Sequence, residues 1–338
     1  MDLQACFANP WIAAVAIIVG FVLLVKGADW LVNGASAIAT RIGISDLVIG
    51  LTVVAFGTSM PEFIVSTVAA INHNTEIAIT NILGSNSINT FIILGLAAII
   101  YPLSSQRSCR QFDMPWSLLA GLLVLLFATY THPQELTLSH WGHFSLQSGF
   151  ISAIGGCILL LCFLIFMWHS LRVAKSLPDE KSENKVTMRL VHAILFIIIG
   201  LIALVIGGEV IVRSATSIAH QLGVSDAIIG LTIVALGTSL PELATSCIAA
   251  YRHNTDIAIG NVIGSNIFNI FFILGTSALI HPLPIYPGLW LDAAMVALSS
   301  ILVMLFVYAH PKHEIKRWHG IILVLIYATY LTYRIETM

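Results

Sequence analysis

What this chain has least of is charge. Aspartate, glutamate, lysine and arginine make up 9% of its 338 residues, against about 25% in a soluble domain. The 58% of hydrophobic residues lie in long runs, which excludes a soluble fold and predicts an all-α integral membrane protein. The formal net charge is -2, and the bases gather on no single amphipathic stretch, so nucleic acid is excluded as a partner. Cys6, Cys109, Cys157, Cys162 and Cys247 form no CxxC pair and sit mostly in apolar runs, where a thiol behaves as a small hydrophobe. Neither disulfides nor soft-metal binding is indicated. There is no HExxH pair and no nucleophile beside a base, so no catalytic residue is assigned and an intramembrane hydrolase is disfavoured. The N-terminal MDLQACFANPW lacks the basic stretch of a secretory signal, and the apolar segment behind it is expected to be a retained first span.

What is present is a repeat. Residues 50–102 hold GLTVVAFGTSMPEF and then ITNILGSNSIN, and residues 230–282 hold GLTIVALGTSLPEL and then IGNVIGSNIFN, at a constant offset of 180. Of the 53 aligned positions, 31 are identical. A fixed internal repeat in an apolar chain, with Glu62 and Glu242 at equivalent places, points to a duplicated transporter with a paired acidic site.

A bilayer core of about 30 Å needs roughly 20 apolar residues per helix. Breaks at polar clusters give ten spans, approximately 11–32, 45–71, 76–101, 114–131, 147–169, 190–214, 225–250, 256–281, 288–309 and 319–336. Five fall in each half, with SLRVAKSLPDEKSENKVTMR between. An odd number of spans per repeat turns the second copy upside down. The expected architecture is therefore ten transmembrane helices as two inverted five-helix repeats with broken core helices: 11–170, a cytoplasmic linker 171–189, and 190–336. Lys and Arg accumulate on the cytoplasmic side. Placing the N-terminus outside puts twelve of them in the cytoplasm, among them Arg107, Arg110, Arg172, Lys175, Arg189 and Arg252, and leaves only Arg213 and Arg334 outside. Trp11, Trp30, Trp116, Trp168, Trp290 and Trp318 fall near span ends, as interfacial anchors.

Glu62 and Glu242 lie well inside the second and seventh spans. An ionised carboxylate there costs at least about 2.5 to 3.5 kcal/mol, so two near one another call for a cation or a proton. Pro61 and Pro241 precede them; each removes a backbone donor and disturbs the carbonyl four residues earlier. Oxygens at Gly57 and Gly237, and at Thr58 and Thr238, are thereby freed to face an ion, an arrangement tolerated where a broken helix lines a cavity. In the GSN segments, Ser85 and Asn89, and Ser265 and Asn269, are four apart and share a helix face. Residues of this kind also serve interhelical packing; facing the glutamates, they would complete an oxygen-only cage. Ca²⁺ takes six to eight such oxygens, and with no His, Cys or Met in the set hard cations are favoured over zinc or copper. Sodium also fits. Gly84 and Gly264 would let the broken helices approach closely. Asn74 and Asn254 are expected helix caps, as are Ser45 and Ser225. His73 and His253 are interfacial or pH-sensing, and Asp29 and Glu209 either line an ion's access path or are solvated at the interface.

At GTSMPE with GSNSIN and GTSLPE with GSNIFN the chain resembles the calcium/cation antiporter superfamily, in particular the prokaryotic sodium/calcium exchangers, over essentially its whole length. The resemblance implies that Glu62 and Glu242 are central metal ligands shared in turn by Ca²⁺ and Na⁺. Further contacts are implied from Thr58, Ser59, Thr238 and Ser239, and from Ser85, Asn89, Ser265 and Asn269. It implies helices one and six sliding against the remaining core, a prokaryotic inner (plasma) membrane location, and no cofactor beyond the transported ions. One chain contains a complete site, so a monomer suffices and no obligate protein partner is expected. Some relatives carry aspartate where this chain has Asn269, including members that handle potassium or an extra proton, which disfavours potassium dependence here. Thr80 stands where the second repeat has Gly260. The linker of about twenty residues has no room for the calcium-sensing domains of the large animal exchangers. The alternatives are a Ca²⁺/H⁺ or other divalent cation/H⁺ antiporter, with protons competing at the same carboxylates, and a cation channel using the acids as a selectivity ring.

Overall fold

Apolar runs without interior proline fold here as single helices, and runs interrupted by Ser-X-Pro fold as broken ones. The computed structural model describes residues 9–129, 150–174, 188–223, 235–286 and 288–337. The first half contains α1 (Pro10–Ile42), α2 (Asp46–Thr58), α3 (Met60–Ile71), α4 (Thr75–Ile100), α5 (Cys109–Thr129) and α6 (Ala153–Ala174). The second contains α7 (Leu190–Gln221), α8 (Ala235–Thr238), α9 (Leu240–Tyr251), α10 (Thr255–Ile280), α11 (Leu289–Ala309) and α12 (Arg317–Thr337). Among the described residues seven helices are long and apolar enough to cross a membrane, or eight if α2 and α3, bent by 48° at their junction, form one span. The segment expected at 225–250 falls partly on residues 224–234, outside the described residues. The segment expected at 319–336 is helical as α12 but is not among the seven, because tyrosines and threonines dilute its apolar run.

The helices are not uniformly α. Wider π turns occupy Gly50–Val54 in α2, Ile88–Leu94 in α4, Cys109–Asp113 in α5 and Phe268–Leu274 in α10. The α5 turn lies just ahead of Pro115, whose missing N–H breaks the regular ladder. Ser45 caps α2 by accepting from Val48 N, and Asn254 caps α10 by accepting from Ile257 N at 3.1 Å. The cap expected of Asn74 is not made, although the residue stands at the head of α4; Ser225 lies outside the described residues.

Burial orders the bundle. The apolar stretch of α10 is 94% buried and that of α4 78%, against 28% for α1 and 33% for α7, so α4 and α10 are central and α1 and α7 peripheral. Two short ladders tie loops of one half to loops of the other: β1 (Leu103–Ser104) with β4 (Glu314–Ile315), and β2 (Phe150–Ile151) with β3 (Leu283–Pro284).

α1 and α7 form the most extensive helix pair, antiparallel along a seam of small residues at a seven-residue interval. Gly20 faces Gly207, Gly27 faces Gly200 and Gly34 faces Ala193. A Cβ on Gly200 would stand 2.7 Å from Gly27 O and 2.8 Å from Leu31 N, so the seam requires glycine. α10 meets α2 as closely, since a Cβ on Gly264 would lie 2.7 Å from Leu51 O and one on Gly260 2.8 Å from Leu47 O. Gly84 has no neighbour within 4 Å among the described residues; the residues equivalent to Leu51 and Ala55 are Leu231, undescribed, and Ala235 at the head of α8.

Gly200→Val is therefore expected to overpack the seam against backbone and to destabilise by about 1–3 kcal/mol, lowering the melting temperature of the detergent-solubilised protein. An unchanged melting curve would refute the seam.

Candidate functional site

Both breaks have the same local cause. Ser59 (φ -83°, ψ 7°) and Ser239 (φ -89°, ψ 6°) leave helical geometry, and α3 and α9 restart with Pro61 and Pro241 in their first turns, where proline forfeits no intrahelical bond. Glu62 and Glu242 thus sit in the first turn of a new helix, at the positive end of its dipole. Both are fully buried.

Each glutamate is held by the other half's break. Ser59 Oγ donates to Glu242 Oε1 at 2.8 Å, and Ser239 Oγ donates to Glu62 Oε1 at 3.1 Å. From their own halves, Ser85 Oγ reaches Glu62 Oε1 at 3.4 Å and Ser265 Oγ reaches Glu242 Oε1 at 3.5 Å. Six of the ten residues singled out from sequence therefore form one paired site of two matching hydrogen-bonded clusters, Glu62 with Ser85 and Ser239 and Glu242 with Ser265 and Ser59. Thr58 is buried beside it and donates instead to Asn261 Oδ1 at 3.1 Å. Asn269 Nδ2 donates to Asn86 Oδ1 at 2.9 Å, while the buried side chain of Asn89 and the Thr238 hydroxyl have no hydrogen-bond partner among the described residues.

Asn81 and Asn261 were not singled out by sequence reasoning and belong to the same construction. Asn261 Nδ2 donates to Glu242 O at 3.3 Å and Ser246 Oγ at 2.9 Å; Asn81 Nδ2 donates to Glu62 O at 3.5 Å and Ser66 Oγ at 3.0 Å. Each amide anchors the main chain of a glutamate. The signal was available: both stand at one repeat position, four residues before Ser85 and Ser265, on the helix face already assigned to the site.

These bonds leave oxygens over. Among the described residues Glu62 Oε2, Glu242 Oε2, Asn89 Oδ1, Asn269 Oδ1, Asn266 Oδ1 and Thr238 Oγ1 are buried without a hydrogen bond. An unsatisfied buried polar atom costs about 1–3 kcal/mol, more for a charged group. Carboxylate, amide and hydroxyl oxygens with no nitrogen or sulfur are the donor set of a hard cation. Among the described residues no cluster of three His, Cys, Asp or Glu offers an alternative metal site.

Two positions expected near an ion path are otherwise engaged. Asp29 is ion-paired with Arg252, and Glu209 with Arg213 at 2.5 Å on the same helix. His73 packs edge-on against His281 at 4.6 Å between ring centroids, and His253 stacks on Tyr101 at 4.1 Å.

Comparison with known proteins bears on the whole chain. The sequence profile of the family described as sodium/calcium exchanger protein matches residues 12–172 and 192–336. The chain is 35% identical over 329 residues to the putative antiporter CaxA of Alkalimonas amylolytica, covering 94% of this chain and 97% of that protein. It is 33% identical over 339 residues to the sodium/calcium exchanger MaX1 of Methanosarcina acetivorans, covering 93% and 96%. Among solved structures, the sodium-calcium exchanger NCX_Mj superposes with a TM-score of 0.79 at 32% identity, covering 95% of this chain and 97% of that one.

The oxygen inventory yields a prediction separable from transport. Ca²⁺ at one hundred times its dissociation constant is expected to stabilise the solubilised protein by about 2.7 kcal/mol, read as a raised melting temperature. Glu62→Gln and Glu242→Gln are each expected to abolish the rise, and Asn261→Ala to reduce it. A calcium response that survives both glutamine variants would remove these oxygens from consideration.

Proposed function

The chain belongs to the sodium/calcium exchanger protein family, and on that premise we propose that it is a secondary active antiporter exchanging Ca²⁺ for Na⁺ by alternating access at the Glu62–Glu242 pair. One observation carries the reading: two fully buried carboxylates at equivalent repeat positions, each bonded by a serine of the opposite half, beside buried oxygens without partners. Ca²⁺ and Na⁺ are substrates in this scheme. Glu62 and Glu242 are the shared ligands, with Thr58, Ser59, Thr238, Ser239, Ser85, Asn89, Ser265 and Asn269 completing the oxygen shell.

Coupling follows from charge. Two ionised glutamates give the unliganded site about two negative charges in a medium where Coulomb terms are large. One Ca²⁺ or several Na⁺ neutralise them. A ligand moves a conformational equilibrium only through its differential affinity for the two states, so a rearrangement carrying the site across the bilayer becomes easy when its charge is compensated and stays costly when it is bare. Competition for one site then gives exchange rather than leak. Relatives are transporters and exchangers in name, in keeping with transport rather than enzymatic chemistry.

The architecture we propose is ten spans in two inverted repeats, 11–170 and 190–336, with 171–189 in the cytoplasm and the N-terminus outside, in a prokaryotic inner membrane. The β ladders support this topology, because Leu103 with Ile315 and Phe150 with Pro284 pair loops assigned to one face in each case. The moving part is the α1–α7 pair. At 33 and 32 residues these helices run about 50 Å and 48 Å at 1.5 Å per residue, well beyond a core of about 30 Å. They therefore lie tilted, seamed to each other by glycine and peripheral to the site-bearing helices.

The deciding experiment is ⁴⁵Ca²⁺ uptake into proteoliposomes loaded with Na⁺ and diluted into Na⁺-free buffer, with a pH-gradient arm and a Glu242→Gln control. Sodium-driven uptake that the variant loses is the expected result. Uptake driven only by the pH gradient would replace sodium by protons, and conductive, uncoupled flux would make the protein a channel.

A further inference from the structure

The two halves match in sequence but do not pack alike, and the mismatch falls on α1 and α7. α1 lies along α9, whereas α7 and α3, the pair at the corresponding repeat positions, hardly meet. Thr245 on α9 is buried and Ala244 and Ile248 are half-buried, while their counterparts Ile64, Val65 and Val68 on α3 are 55%, 38% and 49% exposed. Both core breaks lean on α7, Gly57 against Leu201 and Gly237 against Val212; matched halves would set one of them against α1.

The α1–α9 contact ends in a polar clasp. Arg252, just past α9, is ion-paired with Asp29 and donates to Asn33 Oδ1. Beside it Asn254 Nδ2 donates to Ser36 Oγ at 2.9 Å and to Asp46 Oδ2 at 2.6 Å. The opposite half has Glu209 for Asp29, Arg213 for Asn33 and Asn72 for Arg252. Glu209 is held by Arg213 on its own helix, and Asn72 brings no charge. Among the described residues the clasp exists on one face only, the face to which the basic loops are assigned.

We propose that Arg252, Asp29 and Asn33 form a one-sided latch that holds α1 on α9, closes the route from the Arg252 face to the glutamate pair, and biases the resting protein toward opening along α3 to the other face. The inference rests on the alternating-access reading and goes beyond it by naming the residues that set the resting equilibrium. For the Arg252 face to open, α1 must leave α9, so the Arg252–Asp29 pair breaks in every cycle. Asn72 gives the opposite state no equivalent pair. The side chains are 39% and 29% exposed, which makes the pair weak and reversible, as a contact broken in each turnover has to be.

The test uses the full chain with its native cysteines replaced and Ala244→Cys on α9 as reporter, reconstituted in one orientation. The rate of modification by a membrane-impermeant methanethiosulfonate added at the Arg252 face is measured. Arg252→Gln and Asp29→Asn are each expected to raise this rate by about 1.5- to fivefold, the range set by a weak ion pair acting on a two-state equilibrium. Arg252→Asp combined with Asp29→Arg should bring it back toward the parent value, and Glu209→Gln should leave it unchanged. Unaltered rates in both single variants, or a charge-swapped variant labelled as fast as the singles, would overturn the latch. The same vesicles report sodium-driven calcium uptake: parent vesicles without exchange would defeat the functional reading, whatever the labelling, and exchange with unaltered labelling would defeat the latch alone.

Discussion

Everything in this structure is arranged around two carboxylates that the bilayer would expel. Each carries a burial cost of at least about 2.5 to 3.5 kcal/mol when charged, and the surrounding features each reduce that cost. The breaks at Ser59 and Ser239 set both glutamates at helix N-termini, where the dipole favours an anion. The serines of the breaks cross over, each donating to the carboxylate of the other half. Asn81 and Asn261 fix the main chain beneath. Only one oxygen of each carboxylate is satisfied in this way, and the other is buried without a hydrogen bond among the described residues.

Reciprocal bonding has a consequence for packing. Each carboxylate accepts a bond from the opposite repeat, which requires the helices carrying the site to meet closely. Gly260 and Gly264 bring α10 onto α2 with no room for a side chain between them. The same glycine chemistry along α1 and α7 serves the opposite end, since it binds two peripheral helices to each other rather than to the core. Small residues thus set one close helix contact beside the glutamates and a second between the peripheral helices.

The sequence made the acidic pair legible because polar residues are scarce enough in an apolar chain for each to stand out, and repetition at an offset of 180 removed coincidence. Glu62, Glu242, Ser85 and Ser265 fell where spacing put them. Period alone did not reveal that Ser59 serves Glu242 rather than Glu62, because that pairing is a property of how two repeats interlock. Nor did it reveal the π turns at Ile88–Leu94 and Phe268–Leu274, which displace Asn89 and Asn269 from the regular helix assumed for them. Asn74 and Asn254 carry the same local signal, yet only Asn254 caps its helix; it is also held by Ser36 and Asp46, and tertiary contact decides between equal propensities.

Duplication also explains where the two halves were free to diverge. An ion bound by the same oxygens from either face has little differential affinity for the two orientations, and a ligand with equal affinity for both shifts nothing however tightly it binds. On the alternating-access reading proposed above, the near-identity of the paired site leaves it unable to choose a resting orientation. That choice must come from contacts that one half makes and the other does not. Asp29, Asn33 and Arg252 differ from Glu209, Arg213 and Asn72 on the second halves of α1 and α7 and just past α9 and α3, and none of them bonds to either glutamate. A duplicated chain that keeps its centre alike in both halves and its rim unlike separates the two requirements, and the α1–α9 ion pair at Arg252 lies on the unlike rim.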